Sequence, residues 1–399
     1  MDKIEELLNR GVEQVIPSKQ ELKKVLESGK KLRVYQGFDP TSPILHIGHM
    51  AGLRKLRQWQ DLGHEVIFLI GDFTGMIGDP SGKDKARKPL TKQQIEKNAK
   101  GYQKQASKLL NFAGKNPVKI KYNSQWLSKI PISEFLVLTT QVTYQQIIER
   151  DMFQRRKAQN KQIALSELLY PILQGFDSVE MAVDVEIGGS DQLFNMMMGR
   201  DLMHKLKRKN KFVITTPLIV DAQGQKIGKT TGNVIAIADP PEKLFGGIMS
   251  LPDDVIIQCL ETLTDIPMEE VGKIKNEMKK GKNPMIFKKK LAFEIVKQLN
   301  PLKDAQRAQE EFESVIQKKL MPFQIPTVKS SGATISEILI DSGLSGSMSE
   351  SKRLVQQGAV SGTVSQDAPF ERISDPKQSF TGDMIVKKGI NIVKIEKGE

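Results

Sequence analysis

Between residues 32 and 220, short apolar segments alternate with longer helical patterns, and this alternation limits the possible folds more than any other feature of the chain. Strands are predicted at LRVYQG, EVIFLIG, VKIKY, VDVEIGG and FVITTPLIV, and helices at IGHMAGLRKLRQWQDLG and over about 91–113. Strands separated by helices of this length favour a parallel sheet covered on both faces. An α/β sheet of this type binds ligands at the carboxyl ends of its strands, where the glycine-rich loops of this chain fall.

The pattern changes twice in the second half of the chain. Helical periods rich in lysine replace the strands from about 240 to 320, and the two prolines of MPFQIPTVKSS (321–331) predict a linker. Beyond it, two short helices over 335–344 and 349–357 precede short strands, with turns predicted at Gly362 and Gly389. These residues therefore predict a separate, small α+β module.

Composition restricts the class of protein. Sixty Lys and Arg against 47 Asp and Glu give a net charge of +13, which suits a polyanionic partner, although solubility alone explains it equally simply. A single cysteine, Cys259, excludes intrachain disulfides, and four histidines make a histidine metal cage unexpected. The longest apolar run, 66–70, is far below the ~20 residues of a membrane span. With a charged N-terminus, MDKIEELLNRG, these features predict a cytoplasmic protein without membrane association.

The segment His46-Ile47-Gly48-His49 lies between a turn-rich loop and a predicted helix. The start of a helix offers unpaired amides and a positive dipole end, which favour a phosphate chain. Gly48 would let a nucleotide lie close to the backbone, and the imidazoles could donate to phosphate oxygens. The simpler interpretation is an ordinary loop with a histidine cap.

A second segment, Lys226-Ile227-Gly228-Lys229-Thr230, lies in a polar loop after the strand that ends near Val220. Two lysines and a hydroxyl around a permissive glycine could grip a triphosphate, with lysine acting as a point charge. Exposed lysines near glycines are also common in loops without such a role.

Three polar residues share one face of an otherwise apolar helix, because Tyr170, Gln174 and Asp177 are spaced four and three apart. Buried polar atoms without partners cost about 1–3 kcal/mol each, so these side chains need partners. A bound amino acid would supply them, and so would an internal hydrogen-bond network.

The two loop segments, in this order and about 180 residues apart, resemble the two signatures of class I aminoacyl-tRNA synthetases. Five blocks narrow the resemblance to tyrosyl-tRNA synthetases of bacterial type, almost from end to end: YQGFDPTSPILHIGH, TGMIGDPSGK, LYPILQGFDS, EIGGSDQ and KIGKT. The resemblance implies a Rossmann-like parallel-sheet catalytic domain over 1–238, an α-helical domain on the anticodon side over 239–325, and a small RNA-binding domain over 326–399.

The resemblance also implies a role for individual residues. Six would bind L-tyrosine: Tyr35 and Asp177 at the phenol hydroxyl, Asp79, Tyr170 and Gln174 at the ammonium group, and Gln192 near the carboxylate. ATP would contact Gly37, Asp39, Thr41, His46, Gly48, His49, Gly189, Asp191, Lys226 and Lys229. Catalysis, through the phosphates and the departing pyrophosphate, would fall to His46, His49, Lys226, Lys229, Thr230, Lys83 and Arg87. RNA would contact Lys352, Arg353, Lys387 and Lys388.

The implied reaction needs no enzyme nucleophile and no bound prosthetic group. The carboxylate of L-tyrosine attacks the α-phosphate of ATP, and the tyrosyl group then passes to the 3′-terminal adenosine of tRNA(Tyr). Magnesium would accompany ATP, and no protein metal site is expected. Family members are homodimers, so a homodimer is implied here.

Three alternatives stay open. A tryptophan-specific relative shares the fold and both signatures, although Tyr35 and Asp177 suit a phenol oxygen better than an indole nitrogen. A small-molecule nucleotidyltransferase and a catalytically inactive RNA-binding paralogue are the others. Gln36, Phe176 and Glu186 depart from the usual family pattern, which leaves the finer details of the pocket open.

Overall fold

The alternating segments of the first 220 residues form one sheet with helices between its strands. The computed structural model places the strands, from edge to edge, as β1 (Gln14–Ile16), β6 (Phe212–Thr216), β5 (Val185–Gly189), β2 (Arg33–Phe38), β3 (Glu65–Ile70) and β4 (Lys119–Tyr122). The strands from β2 to β6 are parallel, and β1 pairs antiparallel with β6. The mixed α/β architecture with a parallel core is therefore confirmed, and β1 is an edge strand that the sequence pattern does not indicate.

The structure describes residues 2–81, 89–220, 234–314, 325–364, 368, 370–379, 382–389 and 391–398. They divide into two compact units, residues 1–305 and 306–399. The finer division into three domains, with boundaries after residues 238 and 325, stays a prediction.

Helices cover the faces of the sheet in the first unit. They are α1 (Lys3–Asn9), α2 (Lys19–Glu27), α3 (Ile47–Asp61), α4 (Thr74–Ile77), α5 (Lys92–Ala99), α6 (Tyr102–Ala106), α7 (Ser124–Leu127), α8 (Ile132–Thr139), α9 (Tyr144–Ile148), α10 (Asp151–Ala158), α11 (Leu165–Met181) and α12 (Leu193–Lys207). The single helix predicted over about 91–113 is wrong: α5 and α6 are short, and Gly101, which disfavours a helix interior, separates them.

A helical layer follows the sheet. It contains α13 (Pro241–Met249), α14 (Ile256–Leu263), α15 (Met268–Lys279) and α16 (Pro284–Leu299), with α17 (Leu302–Phe312) after them. The described residues from 241 to 314 contain no strand, as the helical periods predict. Within the described residues, no helix is both long and apolar enough to cross a membrane.

Both faces of the central strands are buried, which explains why they read as continuous apolar runs. In β3, every residue after Glu65 is buried. On one face α11 packs closely on α12 at two glycines, because a Cβ added to Gly199 would lie 3.2 Å from the Cα of Gly175. This contact brings the polar face of α11 to the carboxyl end of β5.

Helix α3 is tied at its centre to the ends of two other helices. The ammonium group of Lys55 donates to the carbonyls of Leu7 (2.8 Å) and Arg10 (2.7 Å), at the C-terminus of α1. The guanidinium of Arg54 donates to the carbonyl of Thr264 (2.6 Å), just after α14. Cations are favourable at helix C-termini, where carbonyls lack intrahelical partners. We call this arrangement, Lys55 and Arg54 with their carbonyl partners, the carbonyl clamp.

The second unit contains a sheet of β7 (Thr327–Ser330), β11 (Asn391–Lys397), β10 (Met384–Lys388), β8 (Val360–Thr363) and β9 (Glu371–Arg372), with α18 (Ile335–Asp341) and α19 (Met348–Gln356). The turn predicted at Gly362 is wrong, because this glycine lies inside β8, where a Cβ would come within 2.6 Å of Met384. The predicted linker is also wrong at its end, which forms β7. The turn at Gly389 is confirmed by its positive φ of 59° between β10 and β11.

Candidate active site

One cleft of about 310 Å³ opens at the carboxyl edge of the first sheet. It is lined by every predicted tyrosine-binding and ATP-binding residue that the structure describes: Tyr35, Gly37, Asp39, Thr41, His46, Gly48, His49, Asp79, Tyr170, Gln174, Asp177, Gly189, Asp191 and Gln192. The remaining predicted residues of the cleft, Lys83, Arg87, Lys226, Lys229 and Thr230, lie outside the described residues. The cleft therefore combines predicted site residues from β2, α3, α11 and β5 that are distant along the chain.

The carboxylate of Asp39, at the end of β2, forms hydrogen bonds with the segment after β3 and with α11. It follows β2 directly and accepts hydrogen bonds from the hydroxyls of Thr74 (2.7 Å) and Tyr170 (2.8 Å). A Cβ on Gly71, at the end of β3, would overlap this carboxylate, so a residue without a side chain is needed there. Burial first, and then Asp39, raise the pKa of Tyr170 well above its ordinary value, so its hydroxyl stays protonated and donates.

Asp177 lies at the closed end of the cleft and is only 2% exposed. Its carboxylate accepts hydrogen bonds from the indole of Trp126 (2.8 Å) and the amide of Asn123 (3.1 Å). Burial raises the pKa of Asp177 well above its ordinary value, whereas these two hydrogen bonds lower it. Tyr35, 1% exposed, lies at the same end with its hydroxyl 2.8 Å from that of Ser178. A buried carboxylate and a buried phenol hydroxyl thus lie in one pocket.

Acceptors for a cation line the middle of the cleft. The amide nitrogen of Gln174 donates to Glu186 (3.3 Å), and its Oε1 is buried without a hydrogen-bond partner among the described residues. Asp79 accepts from the side-chain amides of Gln192 (2.6 Å) and Asn195 (3.3 Å). The side-chain amide of Gln192 therefore already donates to Asp79, beside the position predicted for the carboxylate of the bound tyrosine.

The two signature histidines form a reciprocal cap at the start of α3. The Nδ1 of His46 accepts from the amide of Gly48 (3.1 Å), and the Nδ1 of His49 accepts from the amide of His46 (3.1 Å). A neutral imidazole whose Nδ1 accepts carries its proton on Nε2. Both rings line the cleft, so capping and ligand binding are compatible roles for these residues.

Both ends of the loop that carries the second signature reach the cleft. Ile219 and Val234, on either side of residues 221–233, line it. The chain after this loop is attached beside the first signature, because the amide of Ile47 donates to Ile235 (3.0 Å). Ile235 and Ala236, which follow the undescribed residues 221–233 closely, therefore lie next to the first signature.

Gln36 occupies space that a larger residue at position 52 would need. A Cβ on Gly52 would overlap the amide of Gln36. The Oε1 of Gln36 is buried, lines the cleft and has no hydrogen-bond partner among the described residues. The departure from the family pattern at this position is thus matched by a glycine on α3.

Sequence reasoning missed one polar residue that lines the cleft, Asn123, and four that hydrogen-bond to lining residues from behind: Trp126, Ser178, Asn195 and Lys211. Asn123 follows β4 directly, so the rule that ligands bind at strand ends could have found it. Lys211 precedes β6 and meets the lining residue Glu186 only through the tertiary fold, and no local pattern marks it.

The four predicted RNA-binding residues differ in their surroundings. Lys352 and Arg353 lie on the exposed face of α19. Lys388 instead donates to the carbonyl of Leu344 (2.6 Å), and the ammonium group of Lys387 lies 5.4 Å from the ring of Phe370. The first two side chains point to solvent, and the second two make contacts within their own module.

Comparison with known proteins shows which family the chain belongs to. The family model of class I tRNA synthetases for tryptophan and tyrosine matches residues 27–317. The chain is 40% identical to the tyrosine–tRNA ligase of Dehalococcoides mccartyi over 97% of both chains, and 42% identical to that of Thermotoga maritima over 89% and 88%. A truncated mitochondrial tyrosyl-tRNA synthetase from Aspergillus nidulans has a similar fold, with a TM-score of 0.65, 23% identity, and coverage of 79% of this chain and 94% of that one. The chain with this cleft therefore belongs to the tyrosyl-tRNA synthetase family of class I aminoacyl-tRNA synthetases.

Proposed function

We propose that the chain is a tyrosine–tRNA ligase, which activates L-tyrosine with ATP and transfers the tyrosyl group to tRNA(Tyr). The observation that carries this proposal is the buried carboxylate of Asp177, which lies with Tyr35 at the closed end of a cleft whose opposite wall is the first signature. A phenol hydroxyl would pair these groups, whereas phenylalanine would leave them desolvated and unpaired. An indole offers one donor and no acceptor, so it would satisfy Tyr35 and Asp177 less completely.

The other end of the amino acid meets complementary groups. The ammonium group would bind the carboxylate of Asp79 and the unpartnered Oε1 of Gln174, with Tyr170 beside them. These acceptors fix the carbon skeleton, and the substrate carboxylate is then directed toward the carboxyl edge of β5. Gln192 would contact that carboxylate after releasing part of its bond with Asp79.

ATP would lie across the start of α3, with its ribose near Gly189 and Asp191. The protons on the Nε2 atoms of His46 and His49 would donate to phosphate oxygens as charge grows in the transition state. The substrate carboxylate attacks the α-phosphate in line, the bond to the β-phosphate breaks, and pyrophosphate leaves. Alignment of the two substrates supplies much of the rate. Lys226, Lys229 and Thr230, with Lys83 and Arg87, would hold the pyrophosphate.

Magnesium would be bound mainly by phosphate oxygens. The described residues contain no group of three or more His, Cys, Asp or Glu side chains that could hold a metal ion. A magnesium ion commonly keeps several waters and takes its remaining ligands from the substrate phosphates, so it requires no such group. When bound, it would neutralise charge on the triphosphate.

Transfer to tRNA and dimer formation rest on surfaces outside the cleft. Lys352 and Arg353 on the second unit, and the lysines of α15, would contact phosphates of RNA. A group of exposed apolar side chains from α8, α9 and the start of α11 supports a homodimer interface: Ile132, Leu136, Val137, Tyr144 and Leu165.

The test is amino-acid-dependent exchange of pyrophosphate into ATP, measured separately with all twenty amino acids. Tyrosine should be the only efficient substrate. Efficient exchange with tryptophan would favour the tryptophan-specific alternative, and absence of exchange with every amino acid would favour an inactive RNA-binding paralogue. Aminoacylation of tRNA(Tyr) by the same preparation tests the second step.

A further inference from the structure

Behind Tyr35, a chain of hydrogen bonds leads to a buried ion pair. The hydroxyl of Ser178 lies 2.8 Å from that of Tyr35 and 2.9 Å from the ammonium nitrogen of Lys211. Lys211, which is fully buried, also forms an ion pair with Glu186, whose carboxylate lies within reach of the Ser178 hydroxyl proton and accepts from it at 3.3 Å. We call Lys211, Ser178 and Tyr35 the relay. Its far end adjoins the phenol site, which contains Asp177.

The relay has a built place in the fold. Glu186 lies opposite Tyr35 in the pairing of β2 with β5. The ammonium group of Lys211 occupies room left by Gly199, where an added Cβ would lie 2.6 Å from it. Burial of a charged pair is costly unless its hydrogen bonds are satisfied. A role at the neighbouring pocket would explain why the Lys211–Glu186 ion pair is buried there.

Donor and acceptor chemistry fixes the direction of the relay when a phenol is bound. The carboxylate of Asp177 can only accept, so the phenol must donate its proton there. The phenol oxygen then needs a donor, which Tyr35 supplies. The single proton of Ser178 would then turn from Glu186, at 3.3 Å, to the nearer oxygen of Tyr35, at 2.8 Å. The oxygen of Ser178 accepts from Lys211, which can only donate. Every hydrogen bond then points the same way, from the cation to the carboxylate, and such chains strengthen each other.

We propose that Lys211 and Ser178 are positioning residues that keep the hydroxyl proton of Tyr35 directed at the phenol oxygen of the substrate. This inference rests on the proposed function, and it adds the reason why the Tyr35 hydroxyl proton points toward the substrate. Lys211 offsets the negative charge of Glu186; without Lys211, that carboxylate would hold the Ser178 proton. Tyr35 would then donate to Ser178, and its proton would point away from the substrate.

Three variants test the relay by tyrosine-dependent and phenylalanine-dependent pyrophosphate exchange: Lys211→Met, Ser178→Ala and the double variant. Lys211→Met should lower kcat/KM for tyrosine by about tenfold or more, because the phenol oxygen loses its donor. Ser178→Ala should lower it only about threefold, since Tyr35 can still donate. The double variant should resemble Ser178→Ala and not Lys211→Met, because no serine remains to take the proton of Tyr35.

Phenylalanine separates this role from a merely structural one. It has no hydroxyl, so its kcat/KM should not change in any of the three variants. Ser336→Ala, which removes another buried serine hydroxyl in the second unit, is the matched control and should change neither substrate. Equal losses for both amino acids, or a double variant that multiplies the single losses, would overturn the relay.

If Lys211→Met does not fold, Ser178→Ala alone decides, since equal or absent effects on the two substrates contradict the proposal. A wild-type chain without tyrosine-dependent exchange would refute the proposed function instead.

Discussion

At the scale of single residues, Asp177 combines two opposing requirements. Recognition of a phenol proton needs the ionised carboxylate, but burial favours the protonated form and raises its pKa. Asn123 and Trp126 partly offset that cost by donating to the two carboxylate oxygens. The proposed selectivity would therefore come from a group whose charged form is unfavourable in the empty protein.

This opposition predicts a pH dependence with a definite sign. As pH falls through the raised pKa of Asp177, the carboxyl group gains a proton, and the ratio of kcat/KM for tyrosine to that for phenylalanine should fall. Folding stability should change in the other direction, because the folded state binds this proton more tightly than the unfolded state, so stability declines as pH rises over the same window. The check is the pH profile of the ratio in the wild type and in Asp177→Asn, which should be flat. Parallel profiles would contradict the role of Asp177.

The sequence predicted the residues of the cleft that belong to motifs, because those residues lie together in short segments. Tyr170, Gln174 and Asp177 were recognisable from helical spacing as well, since three polar groups on an apolar stripe require partners. Ser178 and Lys211 could not be assigned in this way. Their proposed role depends on tertiary contacts among β5, α11 and α12, and such contacts leave no pattern in the neighbouring sequence.

At the scale of elements, the α11–α12 contact positions the polar face of the pocket. The structure confirms the central strands and α3, whose apolar patterns are long and regular. It differs from prediction where short polar elements depend on neighbours: β1 has three residues and is stabilised by pairing with β6, and the region of α5 and α6 is interrupted at Gly101. Local propensity is weak for such segments, and tertiary contacts decide them.

Gly199→Ala should destabilise the first unit by about 1–3 kcal/mol, because the new methyl group would press on the Gly175 backbone and on the Lys211 ammonium group. Gly272→Ala is the matched control. Gly272 is an exposed residue of α15 with no atom within 4 Å of an added Cβ, so alanine should stabilise that helix by about 0.5–1 kcal/mol. Thermal unfolding of both variants, followed by circular dichroism, tests the pair. Equal shifts of the two midpoints would show that the close helix contact has no energetic role.

At the scale of the whole molecule, chemistry and RNA binding are assigned to different parts of the chain. All described residues of the cleft belong to the unit of residues 1–305. The exposed cations Lys352 and Arg353 belong to the other unit. The separation of functions between the two units stays a prediction that shortening the chain can test.

A chain that ends at Ser314 should therefore keep tyrosine-dependent pyrophosphate exchange and lose efficient aminoacylation. The KM for tRNA should rise by about tenfold or more, since phosphate contacts supply much of the affinity for nucleic acid. Exchange and aminoacylation rates of the shortened and full-length chains, measured at two salt concentrations, provide the check. Loss of exchange would place part of the adenylation machinery after residue 314, and unchanged aminoacylation would remove the second unit from RNA binding.

The carbonyl clamp has a practical consequence for anyone who prepares this protein. Lys55 is buried, its pKa is lowered to about 7, and two of its three hydrogen bonds end on carbonyls from the first ten residues. Deletion of residues 1–10 would remove two of the three hydrogen-bond acceptors of the Lys55 ammonium group. A buried charge without partners costs several kcal/mol. Purification tags and protease sites therefore belong ahead of Asp2, because the first helix supports α3, whose first turn lines the cleft.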